Sequence, residues 1–586
     1  MKKHFVFAAL LVLLTAQLHA FNSTIYAPTN VKLYWNLTNP PVDISTNAVN
    51  PATRAIRFHF ASDAYSATNQ VNELNAVRAS FAQWQSIPGT IVKFEEAGLV
   101  PPRADMIDRN DGTNIFYWVK STDFVNGGTA NIVGVLGEAF LGFRTDGTLF
   151  AADLVLNGRY HGWFTDFNDK NNTNLFIEST ALHEIGHALG CAHASMGGAT
   201  MLANGQEGID AGAGLSLDEV AFARTTYPKS NILATLGNLK GQVTKNGSPV
   251  FGAAVVVEDA IGNLVGGTVT AQNGSYQFPA LLPGTHKVRV CPLDTYTNNW
   301  WLIIGPDIQS PYYDNADTSF LPTTNFSATI TAGVTNTLNF AVTNGDPAFR
   351  ITQIRKPTTN SNFYSIIALP ALLYPGQSNR TMGVFSENLP TNGATVTVTG
   401  DGLSIGAPTY QRGSPFAGLN GISFSIGVAS NATPGLRTIL VQKGTDRAYA
   451  NGFVEIVSTT PDYNFDGLAD PFQRQYFPLW TATNAAPNAD PDGDRFPNSS
   501  EYVAGTNPTN AVSFLNIDQV TQNLSGAKIT WRSVSGRRYQ VSSRLQVGTG
   551  VFLNVGSPVT ATNSTAQFLD GSATNGNRFY RVEALP

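Results

Sequence analysis

A segment that spells His183-Glu184-Ile185-Gly186-His187 and reaches Gly190 just before His193 leaves few ways for the chain around it to fold. On a helix, His183 and His187 project from one face four positions apart, where two imidazoles can take two corners of a tetrahedral zinc. Glu184 stands beside them, placed to accept a proton from a water that the dication makes acidic. Gly190 can adopt positive φ, end the helix and swing His193 back as third ligand, leaving the fourth corner open. The alternative is a chance pattern on an amphipathic core helix. Against it, the 586-residue chain holds only eight histidines. Multiplying residue frequencies over the five specified positions gives an expectation on the order of 10⁻⁵ or less per chain.

The spacing resembles that of the metzincin metalloproteases. Eight residues past His193, Ala199-Thr200-Met201-Leu202 looks like the turn that carries the methionine beneath the metzincin zinc. Taken alone, a methionine in a Gly-rich loop is ordinary packing. Behind the long histidine motif, the resemblance implies that Met201 lies under the metal.

Met1-Lys2-Lys3, the apolar run Phe5 to Leu14 and Leu18-His19-Ala20 form a secretory leader, expected to be cut after Ala20. No later segment is an uninterrupted apolar stretch of bilayer length. The expectation is therefore a secreted protein, extracellular or at a cell surface after bacterial-type export, with no transmembrane segment. A net charge of −5 with only 13 % charged residues excludes an electrostatic footprint for nucleic acid. Cys191 and Cys291 fall in different domains, so two buried thiols are expected rather than a bridge.

The length suggests about four domains, at roughly 100 to 200 residues each. The expected architecture is multidomain: an α+β metzincin-like catalytic domain, then immunoglobulin-like β-sandwich domains and a short calcium-loop segment. Residues 21–230 make the catalytic domain. Val71, Leu74, Val77, Phe81 and Trp84 repeat at steps of three and four, predicting a helix over 71–87. Strands are predicted over Thr90 to Phe94, Thr113 to Val119, Ile132 to Phe143 and Leu149 to Leu156, before a zinc-motif helix from near Phe176. With Leu215 to Arg224 as a closing helix, this order resembles the matrixin branch of the metzincins.

If that resemblance holds, Val133-Gly134-Val135-Leu136-Gly137 is the edge strand above the cleft, with Val135, Leu136 and Gly137 pairing with substrate backbone. An ordinary internal strand is the equal alternative. Departures from the branch are visible. Ala194 stands where matrixins usually have Ser directly after the third histidine, with Ser195 one place later. Glu138 stands where their structural second zinc needs histidine, so that site is expected to be absent. Ala203-Asn204-Gly205 replaces the Pro-x-Tyr wall of the specificity pocket, and no cysteine-switch prosegment precedes the domain.

Short strand-like runs between Gly and Pro turns predict a β-sandwich over 237–345, which resembles the carboxypeptidase regulatory-like domain. A second sandwich is predicted over 346–458, and a small terminal one over 511–586. Between them, 459–510 alternates acidic and Asn residues. Asp462, Asn464, Asp466 and Asp470 form one candidate calcium loop, with Gln473 in place of a closing Glu. Asp490, Asp492, Asp494, Asn498 and Glu501 form a second, at positions 1, 3, 5, 9 and 12, with Arg495 in the usual glycine position. These loops resemble EF-hand-like and thrombospondin type 3-like repeats; an acidic turn-rich linker without specific metal is the alternative.

The reading is a zinc endopeptidase, expected to be a monomer acting on protein or peptide substrate. Calcium is a second expected cofactor, and the C-terminal modules offer cell-surface or matrix attachment. Two rivals stand: a surface adhesin or binding protein with a vestigial protease domain, and a zinc hydrolase of a non-peptide amide.

Overall fold

The structure is a computed structural model. It describes residues 23–26, 31–41, 44–203, 205, 208–209, 211–293, 315–358, 366–367, 369–412, 418–546, 550–574 and 576–586. The expected leader, 1–20, lies outside the described residues. The chain divides into two compact units at Thr459/Thr460, and each is described by itself.

The first unit opens with a short antiparallel pair, β1 (Ile25–Tyr26) and β2 (Val31–Lys32). A five-stranded sheet follows, built from β3 (Ile56–Ala61), β4 (Phe94–Val100), β5 (Ile115–Val119), β8 (Gly137–Phe143) and β9 (Leu149–Asn157) in the order β4-β3-β5-β9-β8. A small hairpin, β6 (Phe124–Val125) with β7 (Ala130–Asn131), lies between β5 and β8 in the chain. Strands β4, β3, β5 and β9 run parallel, whereas β8 runs antiparallel to β9 and forms the edge. β5 reads Ile-Phe-Tyr-Trp-Val and is buried throughout, as a central parallel strand covered on both faces must be.

Helix α1 (Gln70–Ser86) covers one face through Leu74, Val77, Phe81 and Trp84. Val71, expected in that stripe, is 69 % exposed, because it lies in the first turn beyond the reach of the sheet. After a short parallel pair, β10 (Trp163–Phe164) with β11 (Leu175–Phe176), comes α2 (Ile177–Ala188). The two helices are tied directly, since Trp84 Nε1 donates to Leu182 O at 3.0 Å and Gln83 Nε2 to Glu178 Oε2 at 3.1 Å. Helix α3 (Leu217–Thr226) closes the domain.

Two strands differ from their sequence-based bounds. Thr90 to Lys93 is not strand: Gly89 turns with φ +89°, Ile91 N donates to Tyr227 O, and β4 begins only at Phe94. Ile132 to Leu136 is a turn with Gly134 at φ +89°, so the edge strand begins at Gly137. Asn157 holds that turn, its Nδ2 donating to Ile132 O and Val135 O, both at 2.9 Å, while its backbone N–H donates to Leu136 O. Asn157→Ala is expected to strand the Val135 carbonyl, while Ile132 O keeps its bond from Val135 N, and to cost about 1–3 kcal/mol. Calorimetry should show the lowered midpoint, with faster hydrogen exchange confined to residues around 132–136.

Two sandwiches complete the first unit. One packs a sheet centred on Gly237–Lys245 and Ser275–Leu281 against a sheet ordered Leu264–Val269, Ala253–Asp259, Gly284–Pro292 and Phe326–Ile330. The other packs Gln353–Thr358, Arg380–Ser386 and Asn420–Val428 against Asp446–Ile456, Gly435–Lys443 and Thr395–Val398. Its apolar core runs from Ile354 and Met382 through Phe424 to Val454, and Arg355, Arg437 and Thr438 are buried in the same domain. Cys191 and Cys291 are both buried and share no disulfide.

The second unit begins with two short helices, Asp470–Tyr476 and Asn498–Ala504, each following an acidic loop. A small sandwich follows, in which Trp531, Ile529, Tyr539 and Val541 form the buried centre.

Candidate metal centre

Helix α2 places His183, Glu184 and His187 on its last two turns. The helix ends at once: Gly190 adopts φ +90°, its N–H donates to His187 O at 2.8 Å, and Cys191 N returns to Gly186 O at 2.9 Å. The reversal brings His193 beside the other two rings. His187 Nε2 lies 3.1 Å from His183 Nε2 and 3.3 Å from His193 Nε2. A tetrahedral zinc with Zn–N of roughly 2.0–2.1 Å requires N···N separations of about 3.3–3.4 Å, so the ring atoms fit the ion.

Proton placement supports the same conclusion. His183 Nδ1 lies 2.8 Å from Thr200 O, and His187 Nδ1 lies 2.8 Å from Cys191 O. A carbonyl only accepts, so each Nδ1 carries the proton and each Nε2 is left with a lone pair. Two such lone pairs 3.1 Å apart repel unless a cation sits among them. Burial, with His187 adding to it, pushes His183 down to about 3, and burial lowers His187 as well, so both rings are neutral near pH 7.

Glu184 is 4 % exposed, and its Oε2 has no hydrogen-bond partner among the described residues. Burial first, and then the charge of Glu138, raises it well above the usual carboxylate range. A Cβ at Gly137 would lie 2.7 Å from Glu184 Oε1, so the start of β8 must be glycine for the carboxylate to sit there. Glu138 follows it, its own carboxyl raised by burial. Val135 and Leu136 fall in the turn before β8, and their carbonyls accept from Asn157. The edge available for strand pairing is therefore Gly137–Phe143.

Met201 is fully buried, its sulfur 2.2 Å from where a Cβ on Gly186 would stand, so the methionine fills the space under α2. Its carbonyl accepts from Ala194 N at 2.7 Å, closing the loop between the third histidine and the methionine. Its N–H donates to Glu219 Oε1 at 3.0 Å, and Glu219 Oε2 accepts from Ser216 N at 3.0 Å in the capping box of α3. The sequence reading missed Glu219, although Ser216-x-x-Glu219 ahead of an apolar run is a recognisable cap signal. It also missed Trp35 and Tyr227. Trp35 Nε1 donates to Ala188 O at 2.7 Å and Tyr227 Oη to Leu189 O at 2.6 Å, satisfying the last carbonyls of α2.

In the second unit the two acidic loops differ. Asp466 Oδ2 accepts from both Asn464 Nδ2 (2.9 Å) and Gln473 Nε2 (2.7 Å), so amides fill the first loop. Asp462 accepts from Asp466 N and Gly467 N, and Asp470 from Tyr463 N. In the second loop, carboxylate oxygens of Asp490, Asp492 and Asp494 lie within 4.8 Å of one another. Asp492 Oδ2, Asp494 Oδ2 and Glu501 Oε2 have no donor among the described residues. Burial first, then the three aspartates, raises Glu501 to about 7 against the opposing hydrogen bond from Thr506. Asn498 donates to Asn484 O and Ala486 O, and Arg495 holds φ +79° where such loops carry glycine.

The family comparisons bear on the domain in which the first of these sites lies. Residues 52–227 match the family model described as Matrixin, and residues 238–297 match that of the carboxypeptidase regulatory-like domain. The chain thus carries a matrixin domain followed by β-rich domains, and the match supports a zinc metallopeptidase. No curated protein matches the chain. Among solved structures, the major pilin subunit BcpA of Bacillus cereus is 11 % identical with a TM-score of 0.15, over 59 % of this chain and 87 % of that one. Fervidolysin from Fervidobacterium pennivorans, a keratinolytic enzyme related to subtilisin, is 10 % identical with a TM-score of 0.13, over 59 % and 55 %. Such slight likenesses carry no argument. Among the described residues no helix is long and apolar enough to cross a membrane.

Proposed function

We propose that the chain is a secreted zinc-dependent endopeptidase in which His183, His187 and His193 hold the metal and Glu184 is the general base. The carrying observation is the meeting of the Nε2 atoms while the Nδ1 atoms of His183 and His187 are committed to carbonyls. When bound, zinc supplies Lewis acidity to a peptide carbonyl and to a water.

Glu184 takes a proton from the attacking water at its Oε2 and passes it to the leaving amine, so protons balance over the cycle. Gly137 leaves the room that the carboxylate occupies, and burial excludes water that would compete for it. The free edge of β8 offers an extended substrate backbone the remaining hydrogen bonds of an antiparallel ladder. Secretion rests on the leader-like residues 1–20. The test is cleavage of unfolded protein substrates by the purified mature chain with and without a zinc chelator. Stoichiometric zinc without cleavage of any protein or peptide would favour a binding protein or another amide substrate.

Calcium belongs to the same reading. The second loop, Asp490 to Glu501, holds one Ca²⁺ through the carboxylate oxygens that lack donors, whereas the amide-filled first loop holds none. Titration calorimetry of the full chain should give one calcium per chain, abolished in Asp492→Ala. Gln473→Glu, which restores the closing carboxylate, should add a second. At calcium a hundred times its dissociation constant, the second unit gains about 2.7 kcal/mol. No heat and no thermal shift in the wild type would reduce the segment to an acidic linker.

A further inference from the structure

The loop between His193 and Met201 is closed from the catalytic side, but its tip leaves that domain. Gly197 N donates to Asn451 O at 2.8 Å, in the middle of the long strand of the second sandwich. The approach is backbone to backbone: a Cβ on Gly452 would lie 2.2 Å from Gly197 O, and one on Gly197 would lie 2.7 Å from the Phe453 ring. Gly198, at φ +69°, lies so close to Leu436 that a Cβ there would stand 2.1 Å from its Cδ2.

The first sandwich grips the same loop from its flank. A Cβ on Gly267 would lie 2.9 Å from Ser195 Oγ, and Gly267 N donates to Asp218 Oδ1 at 3.1 Å. Asp218 is fully within the fold and neighbours Glu219, which carries the Met201 amide.

The two sandwiches are locked to each other at the residue that holds Gly197. Arg289 of the first sandwich donates to Asn451 Oδ1 through Nε at 2.9 Å and Nη2 at 2.7 Å. Its Nη1 pairs with Glu258 Oε1 at 2.7 Å, and both side chains are buried. An ion pair this deep is costly to form and stiff once made. Asn451 is thus fixed through its side chain by one domain while its carbonyl fixes the zinc loop of another.

We propose that the two sandwiches are a structural part of the metal centre: Arg289 and Asn451 are positioning residues that, through Gly197, hold the His193–Met201 loop in place. The inference rests on the zinc reading for what is positioned, but the brace itself exists without metal. It also fits the residue types: Gly197, Gly198, Gly267 and Gly452 all lie where a side chain would break the contact.

The test perturbs the contact without touching a ligand. Gly197→Ala drives a methyl into the Phe453 ring and to 2.9 Å from Gly452 O, and Gly197→Ala/Phe453→Leu relieves the ring contact. Ile422→Ala, in the core of the second sandwich but on the sheet opposite the strand that carries Asn451 and Phe453, destabilises that domain without altering the contact residues. Hydrogen exchange is measured on the metal-free proteins, and the visible spectrum and dissociation constant on cobalt-substituted ones.

Gly197→Ala is expected to speed exchange across residues 194–201, shift the cobalt bands and weaken metal binding about tenfold to a hundredfold, as loss of an outer support does. The double variant should recover in part, since the contact with Gly452 O remains, and Ile422→Ala should lower the melting temperature without moving the cobalt bands. Exchange at 194–201 unchanged in Gly197→Ala would overturn the brace. Faster exchange with an unmoved cobalt spectrum and affinity would overturn its positioning of the metal. If the wild type takes up neither cobalt nor zinc, the zinc reading fails, and the exchange data still decide the brace.

Discussion

Replacing Glu184 by alanine is expected to leave zinc bound at one per chain and to lower peptide hydrolysis by about 10²–10⁴-fold, the usual contribution of a positioned acid-base group. The separation of the two effects follows from the geometry. The orienting bonds of His183 and His187 run to Thr200 O and Cys191 O, so removing the carboxylate breaks neither. Glu184 Oε2 has no donor among the described residues, so its loss strands no protein group. Metal analysis of the dialysed variant, beside initial rates on an unfolded protein substrate, checks both halves. Wild-type turnover in the variant would remove Glu184 from the mechanism, and loss of zinc would make it a structural residue.

The second large effect is expected at Gly190. A non-glycine residue at φ +90° costs about 1–3 kcal/mol on conformation alone. The added Cβ would also stand 2.1 Å from Leu33 O. That carbonyl belongs to main chain already held by Leu33 N to Thr24 O and Tyr34 N to Gly147 O, so it has nowhere to retreat. Gly190→Ala should therefore fail to bring His193 to the other rings and should purify without zinc. Its first unit should melt well below the wild type by calorimetry, while the second unit's transition stays in place. A variant that binds zinc stoichiometrically would show that the helix can end another way.

What could be read in advance was local. The helix periodicity that sets His183 beside His187, the glycine at 190 and the S-x-x-E cap at 216–219 all lie within a few residues of the geometry they specify. What escaped was non-local. Nothing near Trp35 or Tyr227 announces that they finish a helix far away in sequence, and strand β3, which pairs with both β4 and β5, was not recognised. The turn at 132–136 looked like strand because its side chains are largely apolar; Asn157, more than twenty residues on, satisfies the carbonyls that a neighbouring strand would have used. Arg495 shows the same limit from the other side. Its φ of +79° is imposed by the loop, although its residue type argues against it.

The knot formed by Trp35, Tyr227 and the end of α2 also sets an order in time. Trp35 N donates to Tyr227 Oη at 3.1 Å across 192 residues of chain, and both side chains end on carbonyls of Ala188 and Leu189. As the polypeptide emerges from its amino end, the histidines of α2 are made well before Tyr227, and the last helical turn waits for its partner. Closure over such a span is slow compared with helix formation. A nascent chain stopped before Tyr227 therefore carries His183, His187 and His193 without the frame that aligns them, and the proposed site is completed only once Tyr227 has been made.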